Sequence, residues 1–448
     1  MDPPGHQLGI DSGETDAMKI VWAGPYCGPS AIARFSVHVV NALRGLGHDV
    51  AIYRTETGEA AAYPALPDPV VLRSGSAMEE EWLRTADLVF ANIGDHYGFH
   101  GGIFDLARKR PFIGIMHDWF VLNLFWDRLK AEGRPHDAPR IIQGLYGQEA
   151  GELCAAATSE TIMPVAAAHF PMTQWAVSDL LGCIIHSEFY RSKVQARCPG
   201  PVHKLSLAYP APDVRQDLRS AVDDHSRLRL CTLGVVNPNK CVDTVVRALM
   251  LDPALAARTE YHVLGGISDQ ERRRLESVCA EVGFRGLVLE GRVSDERLVE
   301  GMAEADAICC LRDPALEGAS ASAIEGMQSG VPVVVSNAGF YADLPDEYVL
   351  KIPQGDCTEE LLAQLHFVDR ERGAAREMGA RARAWARDEF SAVRYAMGLD
   401  ALMPEFIESE PYIATARALG RELGRLGVPG NSPSAGRLAG MLDGMFSL

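Results

Sequence analysis

From Met18 onward the chain alternates between short, continuously apolar runs and longer stretches where apolar residues recur every three or four positions. "MKIVWAGPY" is apolar almost throughout, as a strand buried on both faces should be, and it stops at Gly24 and Pro25. "AIARFSVHVVNALRGLGH" carries helical spacing and ends on glycine, and "DVAIYR" returns to a strand pattern. Strand, glycine turn, helix and strand predict a βαβ unit, and so a parallel sheet with helices on both faces. Further strands are expected at "DLVFAN" (87–92), "PFIGIM" (111–116) and "GCIIHS" (182–187), with a mostly helical stretch near 127–180 between the last two.

A proline-rich seam, "YPAPD" (209–213), and the polar "VRQDLRSAVDDHSR" interrupt this pattern, which then restarts. "LRLCTLGVV", "TEYHVLGG", "LVLEGRVS" and "DAICCL" read as strands; "VDTVVRALM", "SDQERRRLESVCAEVG" and "DERLVEGMAEA" between them read as helices. After about residue 375 the pattern is helical, through "AAREMGARARAWARDEF" and "SAVRYAMGLDALMPEFI", followed by a tail to Leu448. The expected organisation is a disordered lead-in over 1–17, Rossmann-like domains over 18–210 and 226–384, and helices over 385–448 that cross back to the first domain. Two doubly wound domains place a ligand cleft between them, at the carboxyl ends of the strands.

Composition narrows the function. Hydrophobic residues make up 47% and charged residues 23% of the 448 positions, which suits a globular cytoplasmic protein. The net charge of −17 argues against a nucleic-acid groove. The ten cysteines show no CxxC and no regular spacing, so reduced structural thiols are expected rather than a disulfide scaffold or a zinc site. The polar start "MDPPGHQLGIDSGETD" has no signal-peptide core, and no apolar run reaches membrane-spanning length. The basic stretch 190–204 reads as a solvated helix face, so membrane contact is not expected.

The densest chemistry lies in "EGASASAIEGMQSGVPVVVSNAGF" (317–340), where Glu317 and Glu325 flank a run of Gly, Ala and Ser. Small residues at a helix start let its unpaired N–H groups approach an anion such as a phosphate. Glu325 would lie up to about 12 Å further along that element. Neither carboxylate should meet a phosphate, whereas both are good acceptors for sugar hydroxyls. A sugar and a ribose on either side of a diphosphate fit that layout; a capped core helix with one solvated glutamate fits the segment as well.

Residues 228 to about 370 resemble the donor domain of the GT-B glycosyltransferases, specifically the retaining family 4. The matches are the Glu317–Glu325 pair before "SGVPVVVSNAG", then "LGVVNPNKCVD", "VLGG", "LEGRVSDERL" and "RDEFSAVRYAMGLDALM", all in family order. The amino-terminal half matches more weakly, through "AGPYCGPSAIARFSVHVVNALRGLGHDV" and "GIMHDW". The resemblance implies an α/β GT-B fold and a metal-independent hexosyltransferase. Such an enzyme would move a sugar from a nucleoside-diphosphate sugar to a small-molecule acceptor through O, S or N, as in natural-product biosynthesis. It also implies roles: Lys240 neutralises the diphosphate, Glu325 holds the ribose and Glu317 the transferred sugar. Gly318, Ala319 and Ser320 cradle phosphates and sugar, Arg292 and Val293 border the base, and Gly28 lets backbone approach the diphosphate. His117 faces the sugar at the reaction centre, so His117, Glu317 and Lys240 form the catalytic set. Related GT-B chemistries, a sugar epimerase or phosphorylase, and a non-catalytic nucleotide-sugar-binding protein are the alternatives.

Two positions depart from the family. Val235 stands where an arginine normally partners the lysine, which leaves Arg292, Arg312 or Arg34 to supply that charge. Pro29 replaces the second glycine of the first turn and removes an N–H donor. On the acceptor side the candidates are Ser30, Asp95, His96, His100 and Trp119. His96 and His100 have the spacing of helical metal ligands, but Gly98, Gly101 and Gly102 argue for a loop at the cleft mouth instead. No cofactor or metal is expected, no side-chain nucleophile is evident, and a homodimer is compatible with the sequence. The signatures of P-loop, dinucleotide, zincin and serine-hydrolase sites are absent.

Overall fold

A computed structural model describes residues 17–158, 161–214, 227–430 and 432–446. The polar lead-in, apart from Ala17, and most of the polar stretch after the proline seam lie outside the described residues.

Seven parallel strands form the first sheet: β1 (Lys19–Gly24), β2 (Asp49–Arg54), β3 (Val71–Leu72), β4 (Leu88–Ile93), β5 (Ile113–Met116), β6 (Gly182–Ile185) and β7 (Val202–Lys204). Their order is β3-β2-β1-β4-β5-β6-β7. The second sheet has six parallel strands: β8 (Leu228–Leu233), β9 (Thr259–Leu264), β10 (Leu287–Gly291), β11 (Ala307–Cys310), β12 (Val333–Ser336) and β13 (Leu350–Ile352). Its order, β10-β9-β8-β11-β12-β13, reverses direction after β8 as the first sheet's does after β1. The central strands are buried along their whole length, which explains their unbroken apolar runs. Strands β3, β7 and β13 are two or three residues long, too short for any hydrophobic period to register.

The helix Ala31–Gly45 shows how local sequence sets a boundary. Ser30 caps it by accepting the Ala33 amide at 3.3 Å, and Ala33, Phe35, Val39, Val40 and Leu43 form its buried stripe. At the other end of the chain, the helix Ala392–Arg425 runs straight through Pro404 and Pro411, well past the expected boundary. Proline costs a helix one N–H and a steric clash. Packing offsets that here: Leu399, Met403, Phe406 and Ile413 are buried, each contributing roughly 1.5–3 kcal/mol. Phe406 meets Phe90 of β4 edge-on and lies so close to β6 that a side chain at Gly182 would strike it. Asp400 and Glu405 pair with His48 and His203 of the first domain. The tail thus packs on the first domain.

The domains also touch across the centre. Trp119 Nε1 donates to the Ala315 carbonyl (2.9 Å), the Gly318 amide to the His117 carbonyl (2.9 Å), and Ser187 and the Glu188 amide to Asp343 (2.5 and 2.6 Å). All ten cysteines are free thiols. Among the described residues no helix is long and apolar enough to cross a membrane.

Candidate active site

The wall formed by the second domain is built at the carboxyl ends of β8 and β11. Strand β8 ends at Leu233, whose carbonyl accepts from both Lys240 Nζ and Ser322 Oγ. Gly234 follows with φ +84°, and a Cβ there would lie 2.9 Å from Lys240 Nζ, so only glycine fits this approach. Lys240 itself closes a short 3-10 turn and is buried. Burial first, and then the neighbouring Arg312, bring its ammonium down to about 8.

Arg312, just after β11, is held by three groups. Its amide donates to Ser336 Oγ (2.9 Å), its Nη1 to the Leu311 carbonyl (2.7 Å) and its Nε to Glu317 Oε1 (2.8 Å). Two buried cations therefore stand side by side. The helix Ala321–Ser329 begins beside them, capped by Ser320 on the Ala323 amide, and its dipole adds to the positive field. Like charges in a closed site repel strongly, so this corner is prepared for an anion. Val235 is exposed, and the buried neighbour of Lys240 is Arg312. Arg34 instead reaches towards Asp295 at 4.0 Å, and Arg292 is exposed.

Glu317 lies in the turn before that helix. Its Oε1 accepts from Arg312 and from the Tyr341 hydroxyl (2.6 Å), while Oε2 has no partner among the described residues. Gly318 is required next: a Cβ would come within 2.8 Å of the His117 carbonyl and 2.7 Å of the Tyr190 hydroxyl. Ala319 and Ser320 are buried behind it. Glu325, one turn into the helix, faces the other way, towards Tyr209 and Arg34. Burial pushes its carboxyl up to about 7, against the pull of the Tyr209 hydroxyl, Arg34 and Lys240. Val293 packs on the apolar core shared by the two domains.

The first-domain wall is organised by Asn92, at the end of β4. Its Nδ2 donates to the Ala23 carbonyl (2.9 Å), which turns Oδ1 towards His117 Nε2 (2.9 Å). Its own backbone carbonyl meets His100 Nδ1 (2.9 Å). His117 is packed edge-on against Phe35 and beside His186. Burial and the other histidines hold its imidazole well below the usual range, and burial holds His100 near 4. Both are neutral at physiological pH. Next to them, Asp118 accepts the Asp95 amide (3.0 Å), and Asp95 accepts from Asn123 and the Leu124 amide. Burial, reinforced by Glu317, lifts Asp118 to about 6; burial, reinforced by Asp118, lifts Asp95 to about 7.

The structure corrects one acceptor-side expectation. Trp119 is buried: its indole N–H is spent on Ala315 and its ring packs against Phe189 and under Lys193, a strut between domains. Residues Tyr97–His100 form a helical turn, not a loop, because Gly101 and Gly102 pack flush against Thr57 and Thr55. On that turn His100 points inward and His96 is exposed. Among the described residues no three His, Cys, Asp or Glu side chains converge as metal ligands would. Ser30 serves as a helix cap, and Gly28 is exposed in the turn before it. Sequence reasoning missed Asn92, Asp118, Tyr209 and Tyr341; the only signal was a polar Asn ending an otherwise apolar strand.

Two facing, doubly wound domains with this cleft define the GT-B fold. Similar solved structures include HepE from Anabaena in complex with UDP and glucose, at 14% identity and TM-score 0.57, covering 86% of this chain and 99% of that one. Sucrose-phosphate synthase from Thermosynechococcus elongatus matches at 15% and 0.58, covering 86% and 97%. A glycosyltransferase from Rickettsia africae matches at 13% and 0.58, covering 88% and 99%. At such identities the likeness speaks for the fold. No curated protein sequence matches the chain. Residues 214–385, however, match the family model of glycosyl transferases group 1, the segment that holds Lys240, Arg312, Glu317 and Glu325. The chain thus has the GT-B fold, and its second domain carries a segment similar to the glycosyl transferases group 1.

Proposed function

We propose that the protein is a retaining glycosyltransferase that moves a sugar from a nucleoside-diphosphate sugar to a small-molecule acceptor. The observation that carries this is the corner where Lys240, Arg312 and the start of the helix Ala321–Ser329 come together beside Glu317, which is turned by Arg312 and Tyr341. The diphosphate takes the cationic corner, Glu317 Oε2 accepts a hydroxyl of the sugar, and Glu325 accepts from the ribose. HepE has been solved with UDP-glucose, which makes a uridine donor the first to try.

In the reaction the bond between the anomeric carbon and the phosphate oxygen breaks, and its electron pair leaves with the diphosphate. Lys240, Arg312 and the helix dipole stabilise that developing charge. The acceptor attacks the same face of the sugar, and its proton passes to the departing phosphate oxygen. Direct bonds between the domains at Trp119 and Gly318 keep water, the competing acceptor, out of the centre.

A thermal-shift titration against UDP, GDP, ADP and dTDP tests the proposal, because a ligand that binds only the folded state raises its stability. One diphosphate should stabilise the wild type and fail to stabilise Lys240→Ala. If none of the four does so at millimolar concentration, the donor assignment is wrong.

A further inference from the structure

A pocket of about 280 Å³, the room of roughly nine waters, opens on the first domain and shares no lining residue with the donor corner. Phe104 of the helix Ile103–Lys109, Phe112 ahead of β5, Leu124 of the helix Leu122–Ala131 and Trp175 of the helical turn Thr173–Val177 give it apolar, largely aromatic walls. The rings of Phe104 and Trp175 lie 5.7 Å apart, so two of these walls form one surface. Leu124 ties the pocket to the cleft, since its amide donates to Asp95 Oδ1 (3.0 Å). The pocket therefore backs onto the acceptor wall.

Arg417 of the long helix Ala392–Arg425 also lines it. Its side chain is only 10% exposed, and neither Nε nor Nη1 has a hydrogen-bond partner among the described residues. The one carboxylate among the lining residues is Asp179, whose Oδ1 lies 3.3 Å from Nε without forming a hydrogen bond. Asp179 is itself 80% exposed, so water holds it as readily as Arg417 does. A second guanidinium, that of Arg128, lines the pocket 3.9 Å from the centre of the Phe104 ring, but its Nε is already spent on Glu132 (2.9 Å). Buried donors left without an acceptor are costly, and a guanidinium fork fits a planar carboxylate. Water would serve Arg417 but leave the aromatic walls wet; a purely apolar molecule would cover the walls and strand the donors. A ligand with both parts answers both.

We propose that this pocket is a second binding site, for a small carboxylate with an aromatic body. The Arg417 fork takes the carboxylate in place of Asp179, and the ring lies against Phe104 and Trp175. A single negative charge suits the site, because Arg128 is already answered by Glu132 and only Arg417 has donors to spare. The site stands on the first domain and the long helix alone, and does not depend on the transferase reading.

Calorimetric titration of the whole chain with benzoate, phenylacetate and naphthylacetate, each paired with its neutral amide, tests this. At least one acid should bind about tenfold more tightly than its amide, as a charge-assisted bond exceeds a neutral one. Arg417→Met keeps the apolar stem and should abolish that preference. Lys240→Ala disarms the donor corner, the other cationic site, and should leave the preference intact. Asp179→Asn, an exposed change, removes the competing carboxylate and should tighten acid binding about threefold, the scale of an exposed ion pair. No binding by any of the three acids at millimolar concentration, or equal affinity for acid and amide, overturns the proposal. So does a preference that survives Arg417→Met or is lost in Lys240→Ala. Should Arg417→Met not fold, an acid affinity unmoved by Asp179→Asn overturns it instead.

Discussion

The two walls of the cleft are chemical opposites. The second domain presents donors: Lys240, Arg312 and the open amides of a helix start. The first presents acceptors: the carboxyls of Asp95 and Asp118, beside two neutral imidazoles. Each wall also fixes its charges by burial, which lowers the lysine, keeps both histidines neutral and raises the aspartates. A molecule spanning such a cleft must be anionic at one end and rich in hydroxyl groups at the other. A nucleotide sugar meeting a polyol acceptor has that polarity.

The contrast can be broken most severely at the donor wall. Lys240→Ala removes a charged contact worth about 1.5–3 kcal/mol, so affinity for the stabilising nucleoside diphosphate should fall roughly ten- to hundredfold by calorimetry. Affinity for the parent nucleoside should not change, and a nucleoside that weakened equally would show that Lys240 does not meet phosphate. A smaller loss comes from pH. The Lys240 ammonium of the free protein sits near 8, and a diphosphate favours the charged form. Affinity should therefore decline as pH rises above 8, by up to about tenfold per pH unit, and Lys240→Met should flatten the profile.

On the acceptor wall, Asn92→Ala strands the buried ring N–H of His117 and the Ala23 carbonyl. Denaturant unfolding should show a loss of about 1–3 kcal/mol, and the pH at which His117 titrates by NMR should move as well. Tyr341→Phe releases one of the two groups that turn Glu317. It should cost about 1 kcal/mol, read as a roughly fivefold lower kcat with unchanged nucleotide affinity. The smallest effect expected is Val235→Ser, an exposed change within about 0.5 kcal/mol of neutral in unfolding. A large loss of nucleotide affinity there would return the second cation's role to that turn.

Most of the donor wall was legible in the sequence because one strand end, one turn and one helix start lie contiguously between Arg312 and Glu325, with Lys240 added from the turn after β8. What remained open was which of Arg34, Arg292 and Arg312 stands beside Lys240, a matter of burial that no linear pattern encodes. The acceptor wall was nearly illegible. Asn92 lies near the end of β4, His100 after it and Asp118 after β5, so what brings them together is β4 and β5 being neighbours. The fold followed from buried apolar runs wherever strands were long enough. It was missed in the two- and three-residue strands, and in the continuation of the long helix past Ile407 through Pro411, which packing carries.

The most direct measurement is a calorimetric comparison of UDP with uridine on the wild-type protein at pH 7.5, extended to the other three diphosphate–nucleoside pairs. A donor wall built for a diphosphate should bind one of the four diphosphates at least about a hundredfold more tightly than its nucleoside, the contribution of two charge-assisted contacts. If every diphosphate binds no better than its nucleoside, Lys240 and Arg312 do not form a phosphate site, and the account of the cleft is wrong.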